Sequence, residues 1–357
     1  MTLRVAIIGC GLIGDVHAWA LWGLRKVGVA DVRVTLVHDL DRQRADAFAQ
    51  RHRATTAVTM DEALDGADAV YVCTPTAAHL EVVEAAASRG LPVYCEKPLG
   101  PDLASAQTVA AALCSVPHQV GLVLRSSPAL RRLHTLVGEH AYGRPMTFLL
   151  RDDQYFPIQG QYGSTWRADA AIAGGGTLIE HSIHDLDLFR WIFGDPASVA
   201  CTRASFFGHE GIEDLATVLL SYADGRTATL VSVWHQILTR PSTRRFEVFF
   251  EDAFVEIEAD PRTALRVQDS DGTTDLECSF DAWVNELPVP NDVRLPLAIY
   301  ADAGSRFCAL VSSGTATGPG ATEALAAHRL VDAAYRSAGA GGTPVALGSG
   351  TGAAAGI

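Results

Sequence analysis

Positive charge is in short supply in this chain of 357 residues: 28 lysines and arginines stand against 41 aspartates and glutamates, a formal net charge of −13. That balance argues against a nucleic-acid partner and against an anionic membrane surface, both of which are gripped by a basic face. Long apolar runs are missing too, so no segment has the reach of a membrane-spanning helix. The first apolar stretch, Leu3 to Ile8, runs into glycines and not into a small-residue cleavage site, so no secretory leader is expected. Cysteine pairs are absent. The seven cysteines (Cys10, Cys73, Cys95, Cys114, Cys201, Cys278 and Cys308) are scattered without a C-x-x-C spacing. An odd count in mostly apolar surroundings points to reduced thiols in a cytoplasmic protein and gives no support to a structural zinc.

What remains is ordinary globular material, 48% hydrophobic and 19% charged, in a length sufficient for two domains. Through the first third, short apolar runs alternate with amphipathic stretches, the pattern of a parallel sheet covered by helices. Strands are predicted at Leu3–Ile8, Val32–Val37, Ala69–Cys73, Pro92–Cys95 and Gln119–Leu124, with helices at Asp15–Val27, Asp41–His52, Ala77–Arg89 and Asp102–Cys114. Gly90 reads as a helix stop and Asp102 as an N-cap. Beyond residue 125 the rhythm changes. Helices are predicted at Pro128–His140, Thr177–Phe193 and Ala321–Ser337, around β-rich runs from Ala197 to Leu276 that suggest an antiparallel sheet. The expected division is 1–124 for a dinucleotide-binding domain, 125–347 for a substrate-binding and oligomerisation domain, and 348–357 for a loose tail. The fold class is α/β followed by α+β: a doubly wound Rossmann sheet, then a large, mainly antiparallel open sheet.

Gly9-Cys10-Gly11-Leu12-Ile13-Gly14 is a G-x-G-x-x-G placed between a buried strand and a helix. The first glycine permits the tight turn and the second lets backbone approach a pyrophosphate. The third lets helix and strand pack closely, while the helix N-terminus faces the phosphates. An acid ends the next strand: Asp39, 25 positions after Gly14 (39 − 14). Its carboxylate accepts from an adenosine ribose and repels a 2′-phosphate, so NAD is expected over NADP. Arg42 and Arg44 read as a solvated first helical turn.

Two further groups carry chemistry. Lys97 follows the apolar run Pro92–Cys95, so it stands at the carboxyl end of a parallel strand, where doubly wound folds bind ligands. Partial desolvation there lowers an ammonium toward neutrality and lets it trade protons. On a continuous helix over Thr177–Phe193, Glu180, His184, Asp187 and Trp191 share one face at about 100° per residue, apart from the apolar stripe Ile179, Ile183, Leu186, Phe189 and Phe193. Such a row either orients a histidine over a substrate hydroxyl or is a solvated face. Glu180, His181, His184 and Asp187 are also possible metal ligands, but their spacing matches no established zinc pattern, and no metal is expected.

The glycine loop, Glu96-Lys97-Pro98, Trp166-Arg167 and the stretch from Gly174 to Asp187 together resemble the Gfo/Idh/MocA oxidoreductases, over nearly the whole chain. The resemblance implies that Lys97 and His184 are the catalytic lysine and histidine. It places Glu180 where the family has an aspartate four positions before the histidine, and Ser182 where a glycine is common. Thr74, Pro75 and His79 would line the path from adenosine to nicotinamide, with Glu96, Lys97, Arg125, Trp166 and Arg167 also beside the cofactor. Lys97, Arg167, Glu180, His184 and Asp187 would bind substrate, with selectivity set by segments 151–161 and 235–240. The implied activity is NAD-dependent oxidation of a secondary hydroxyl on a cyclic sugar, sugar derivative or inositol. The implied assembly is a homodimer or homotetramer formed through the open sheet. A glycosidase working by transient oxidation, and a nicotinamide sensor without turnover, share the same resemblance.

Overall fold

The computed structural model describes residues 2–258 and 264–348, so the tail expected from 348 onward lies, after Gly348, outside the described residues. Six strands form one fully parallel sheet: β1 (Leu3–Ile8), β2 (Val32–His38), β3 (Thr55–Thr56), β4 (Ala69–Val72), β5 (Val93–Cys95) and β6 (His118–Val120). Their order is β3-β2-β1-β4-β5-β6, and α1 (Leu12–Lys26), α2 (Arg42–His52), α3 (Met60–Asp65), α4 (His79–Ala87) and α5 (Leu103–Leu113) cross between them. Local signals set the helix starts: Asp41 accepts from Arg44 N at 3.1 Å and Asp102 from Ser105 N at 2.7 Å. The order reverses direction between β1 and β4, which opens a crevice beyond their carboxyl ends.

Among the described residues the second sheet has nine strands. They are β7 (Pro145–Tyr155), β8 (Ser198–Ala204), β9 (Leu215–Ser221), β10 (Thr227–His235), β11 (Thr243–Phe250), β12 (Ala253–Glu258), β13 (Ala264–Asp269), β14 (Gly272–Glu277) and β15 (Val345–Ala346). The order is β14-β13-β12-β11-β7-β10-β9-β8-β15, antiparallel except where β10 runs parallel to β7. Along β10 burial alternates residue by residue, with Ala228, Leu230, Ser232 and Trp234 turned inward. That inner face packs on α6 (Pro128–Gly138), α7 (Ala170–Ala173), α8 (Thr177–Glu180), α9 (Ile183–Phe193) and α11 (Ala321–Gly339), while Leu219 and Phe249 on the other face are exposed.

Three departures from the sequence reading matter for the site. A 23-residue helix, α10 (Asn291–Ser313), went unforeseen because Pro296 interrupts its pattern. It packs on α1, where Tyr300 and Phe307 join His17, Tyr71 and Tyr94 in an aromatic cluster, so the two domains share one core. The strand predicted to Leu124 stops at Val120. A Cβ on Gly121 would sit 2.5 Å from the Glu96 carboxylate, and the chain turns there into a short 3-10 segment, Val123–Ser126. The helix predicted over Thr177–Phe193 is broken at His181–Ser182 into α8 and α9.

A buried histidine ties α11 to the Rossmann half. Leu99 N donates to His328 Nε2 at 2.9 Å, so that nitrogen is unprotonated, and burial lowers the ring from 6.5 to about 4. The unfolded chain takes up this proton below 6.5 while the folded one resists it, so the stabilisation present at neutral pH is lost as pH falls from 6.5 to about 4. Its size is about 3 kcal/mol. Replacing His328 with Gln keeps an acceptor and removes the titration. Denaturant melts of the variant should show a shallower acid limb than the parent; identical limbs would discard the assignment.

Candidate active site

The crevice beyond β1 and β4 continues into a cleft of about 570 Å³ between the two domains. At one end stand Gly9, Gly11, Leu12, Ile13 and Asp39, followed by Thr74, Pro75, Glu96 and Lys97; across from them lie Trp166, Arg167, Glu180, His181 and His184. The loop glycines are required for different reasons. Gly9 has φ +98, and a Cβ there would lie 2.5 Å from the Cys73 carbonyl. Gly14 lies outside the cleft, where a Cβ would meet Gly9 O at 2.4 Å, so its role is strand–helix packing. Gly11, the N-cap of α1, would meet nothing within 4 Å; its bareness serves an approach from outside the chain. Asp39 is fastened by Cys10 N (2.8 Å) and Asp41 N (2.9 Å), which sets its carboxylate at the cleft edge. Arg44 is exposed on the first turn of α2, as expected, and also reaches the cleft lining, 3.5 Å from Asp39.

Glu96 is buried. It receives His17 Nε2 (2.7 Å) on one oxygen and Lys97 N (3.2 Å) on the other, so it braces the backbone of the next residue. The Lys97 ammonium then crosses to the second domain and donates to the main-chain oxygen of Glu180 at 2.6 Å. Burial lowers it, against the opposing pull of Glu180 and with help from Arg167. His184 stands in the same wall at 8% exposure. Burial first, then the charges of Lys97 and Arg244, hold its imidazole well below the usual histidine range. The imidazole is therefore neutral at physiological pH.

Glu180 is more committed than its place on a helix suggests. Its carboxylate accepts from Thr76 Oγ1 (2.9 Å) in the first domain and from Arg167 Nε (2.9 Å) in the second, so it clamps the domains together with both oxygens. Asp187 and Arg125, expected to meet substrate and cofactor, instead meet each other in a two-pronged ion pair at 2.6 and 2.8 Å, outside the cleft. The physical reasons are the two breaks: the turn at Gly121 swings Arg125 away, and the break after Glu180 abolishes the continuous face that would have carried Asp187 along. His79 is likewise displaced; it lies fully buried with Nε2 3.1 Å from Thr74 O, supporting that loop from behind.

The break at His181 creates a polar cluster that residue spacing did not reveal. Arg244 of β11 stands opposite Asp152 of β7 in the strand register, donates to Asp185 at 3.0 Å, and bonds His181 Nε2 at 2.9 Å. Ser182 Oγ donates to Asp152 at 2.9 Å. Burial and the neighbouring Asp152 push Asp185 up to about 8, so it keeps its proton at neutrality. A periodicity argument misses this cluster because its members come from two strands, a turn and the start of α9. Of the segments expected to set selectivity, 151–161 contributes Gln154, Pro157 and Gln161 to the cleft, whereas 235–240 contributes none; Trp234, Ser242 and Arg244 flank it.

Residues 3–122 match an oxidoreductase family with an NAD-binding Rossmann fold, and residues 130–256 match the GFO/IDH/MocA C-terminal domain. The chain belongs to the GFO/IDH/MocA oxidoreductases. It is similar to the inositol 2-dehydrogenase of Rhizobium meliloti, 29% identical over 353 residues that cover 94% of this chain and 97% of the relative. It is also similar to inositol 2-dehydrogenase 2 of Paenarthrobacter aurescens, 30% identical over 64% of this chain and 68% of the relative. Levoglucosan dehydrogenase, solved with NADH and levoglucosan, shares the fold with a TM-score of 0.87 at 20% identity, covering 97% of this chain and 99% of that one. As a GFO/IDH/MocA oxidoreductase the chain binds NAD, and its residues fit that cofactor: a cradle at Gly9 that a Cβ would fill, free amides at the start of α1, and the Asp39 carboxylate at the edge.

If the Asp39 carboxylate sets this preference, Asp39→Ala should weaken NAD binding by roughly tenfold and narrow the gap to NADP. Fluorescence titration with each reduced cofactor checks it. An unchanged ratio would remove Asp39 from the specificity argument.

Proposed function

We propose that this GFO/IDH/MocA enzyme reversibly oxidises a secondary hydroxyl of a cyclic sugar, sugar derivative or inositol, with His184 as base and Lys97 as its electrostatic partner. One observation carries the reading: Lys97 from the parallel sheet and His184 from the second domain line a single cleft that begins at the glycine loop. NAD, held by the loop and Asp39, supplies the hydride acceptor. The neutral imidazole of His184 takes the hydroxyl proton. Lys97, anchored by one N–H on Glu180 O, directs its remaining N–H bonds at the substrate oxygen and stabilises the negative charge that develops there. Glu180 acts through its neighbours as a positioning residue, since both its oxygens are already engaged.

The test is a screen of inositols, monosaccharides and anhydrosugars for absorbance at the NADH band, with NADP in parallel. NAD reduction by at least one cyclic polyol is expected, and NAD binding without reduction by any of them would reject the proposal. A pH series on the substrate found gives a second check. Because His184 is depressed below 6.5, its basic form persists below that pH, so kcat should be flat above it and decline only on further acidification. A limb centred well above neutrality would transfer the base role to Lys97.

A further inference from the structure

The substrate end of the cleft is rich in donors and poor in charged acceptors. Arg167 is fixed by its Nε bond to Glu180 and by stacking on Trp166 at 4.4 Å, yet among the described residues its two Nη nitrogens have no hydrogen-bond partner, and the side chain lines the cleft. Lys97 keeps two N–H bonds beyond the one given to Glu180, and Arg244, paired with Asp152 and Asp185, lines the same wall. The acids of that wall are turned toward the protein. Glu180 accepts from Thr76 and Arg167, and Glu96 from His17 and Lys97 N. Asp152 and Asp185 are wholly buried behind Arg244 and Ser182. The acceptors that remain at this end, the Gln154 and Gln161 amides, the His184 imidazole and the Tyr162 hydroxyl among them, are uncharged.

A neutral polyol suits such a wall poorly, because every hydroxyl brings a proton that needs an acceptor. A group made only of acceptors suits it well, and a guanidinium fork matches two oxygens at once. We infer that the substrate carries an anionic oxygen group, carboxylate or phosphate, on its polyol frame, and that the free Nη edge of Arg167 is its principal ligand. This rests on the proposed polyol oxidation and narrows its substrate class to acidic sugars.

Calorimetry on the NADH-loaded enzyme tests it with matched probes: gluconate against glucitol, glucuronate against glucose, and glucose 6-phosphate against glucose. The acidic member of a pair should bind at least about tenfold more tightly, with the carboxylate and phosphate arms showing which anion is preferred. Arg167→Gln should level the pair, and Arg167→Lys should recover part of the difference. Neutral members binding equally well, or an Arg167→Gln enzyme that keeps the preference, would overturn the inference. The two proposals separate cleanly. Reduction of NAD by neutral polyols at equal KM leaves the oxidation standing and removes the acid class, whereas acid-selective binding without NAD reduction does the reverse.

Discussion

Lys97→Ala is expected to lower kcat by about three orders of magnitude while NAD affinity stays within about threefold. The size follows from what is lost together. The ammonium is the group of the Rossmann half that reaches across to Glu180 and can meet charge developing on the substrate oxygen. The small effect on affinity follows from the separation of tasks, since the glycine loop and Asp39 are the groups that fit the dinucleotide. Lys97→Met, which refills the volume without the charge, should behave like Lys97→Ala. Turnover near the parent's in either variant would refute the assignment.

The second large effect is on folding. Gly174, Gly175 and Gly176 bring the entry of α8 into contact with three different parts of the chain. A Cβ on Gly176 would stand 1.8 Å from Glu213 O, and one on Gly174, at φ +83, would stand 1.9 Å from Pro101 O. These neighbours are backbone and cannot swing aside. Glu213 is also the cap of α8, accepting from Gly176 N at 2.9 Å and Leu178 N at 3.0 Å, so a displaced Gly176 loses both bonds. Gly176→Ala should therefore cost about 3 kcal/mol or more and lower the melting midpoint by roughly 5 °C or more. Gly174→Ala pushes against the segment that follows Lys97, so it should lower kcat as well as stability. A Gly174→Ala enzyme with the parent's melting curve and turnover would show that the close approach is dispensable.

The two halves of this site were unequally legible in the sequence. The loop at Gly9–Gly14, the acid at Asp39 and the lysine at position 97 are local to strand ends, and a strand–turn–helix pattern carries them directly. Helical spacing also singles out His184, although the helix assumed for it is broken at His181–Ser182. The same assumption misplaced Asp187, because a face extrapolated across His181–Ser182 does not survive the bonds that Ser182 makes to Asp152 and Ser232 at 2.9 and 2.7 Å. Arg125 failed for a related reason: Gly121 ends β6 against the Glu96 side chain, a tertiary event that strand propensity does not carry. Arg244, Asp152 and Asp185 are not legible in the sequence because Arg244 meets Asp152 through the register of β7 with β11 and reaches Asp185 on α9 only through the tertiary fold.

The most direct measurement follows deuterium from the carbinol carbon of a labelled substrate into the cofactor. The account predicts one deuterated NADH accumulating for each ketone formed, at a rate that collapses in Lys97→Ala and His184→Gln. Consumption of substrate with release of its substituent and no net NADH would contradict it, because the cofactor would then be recycled within an elimination and not reduced as a product.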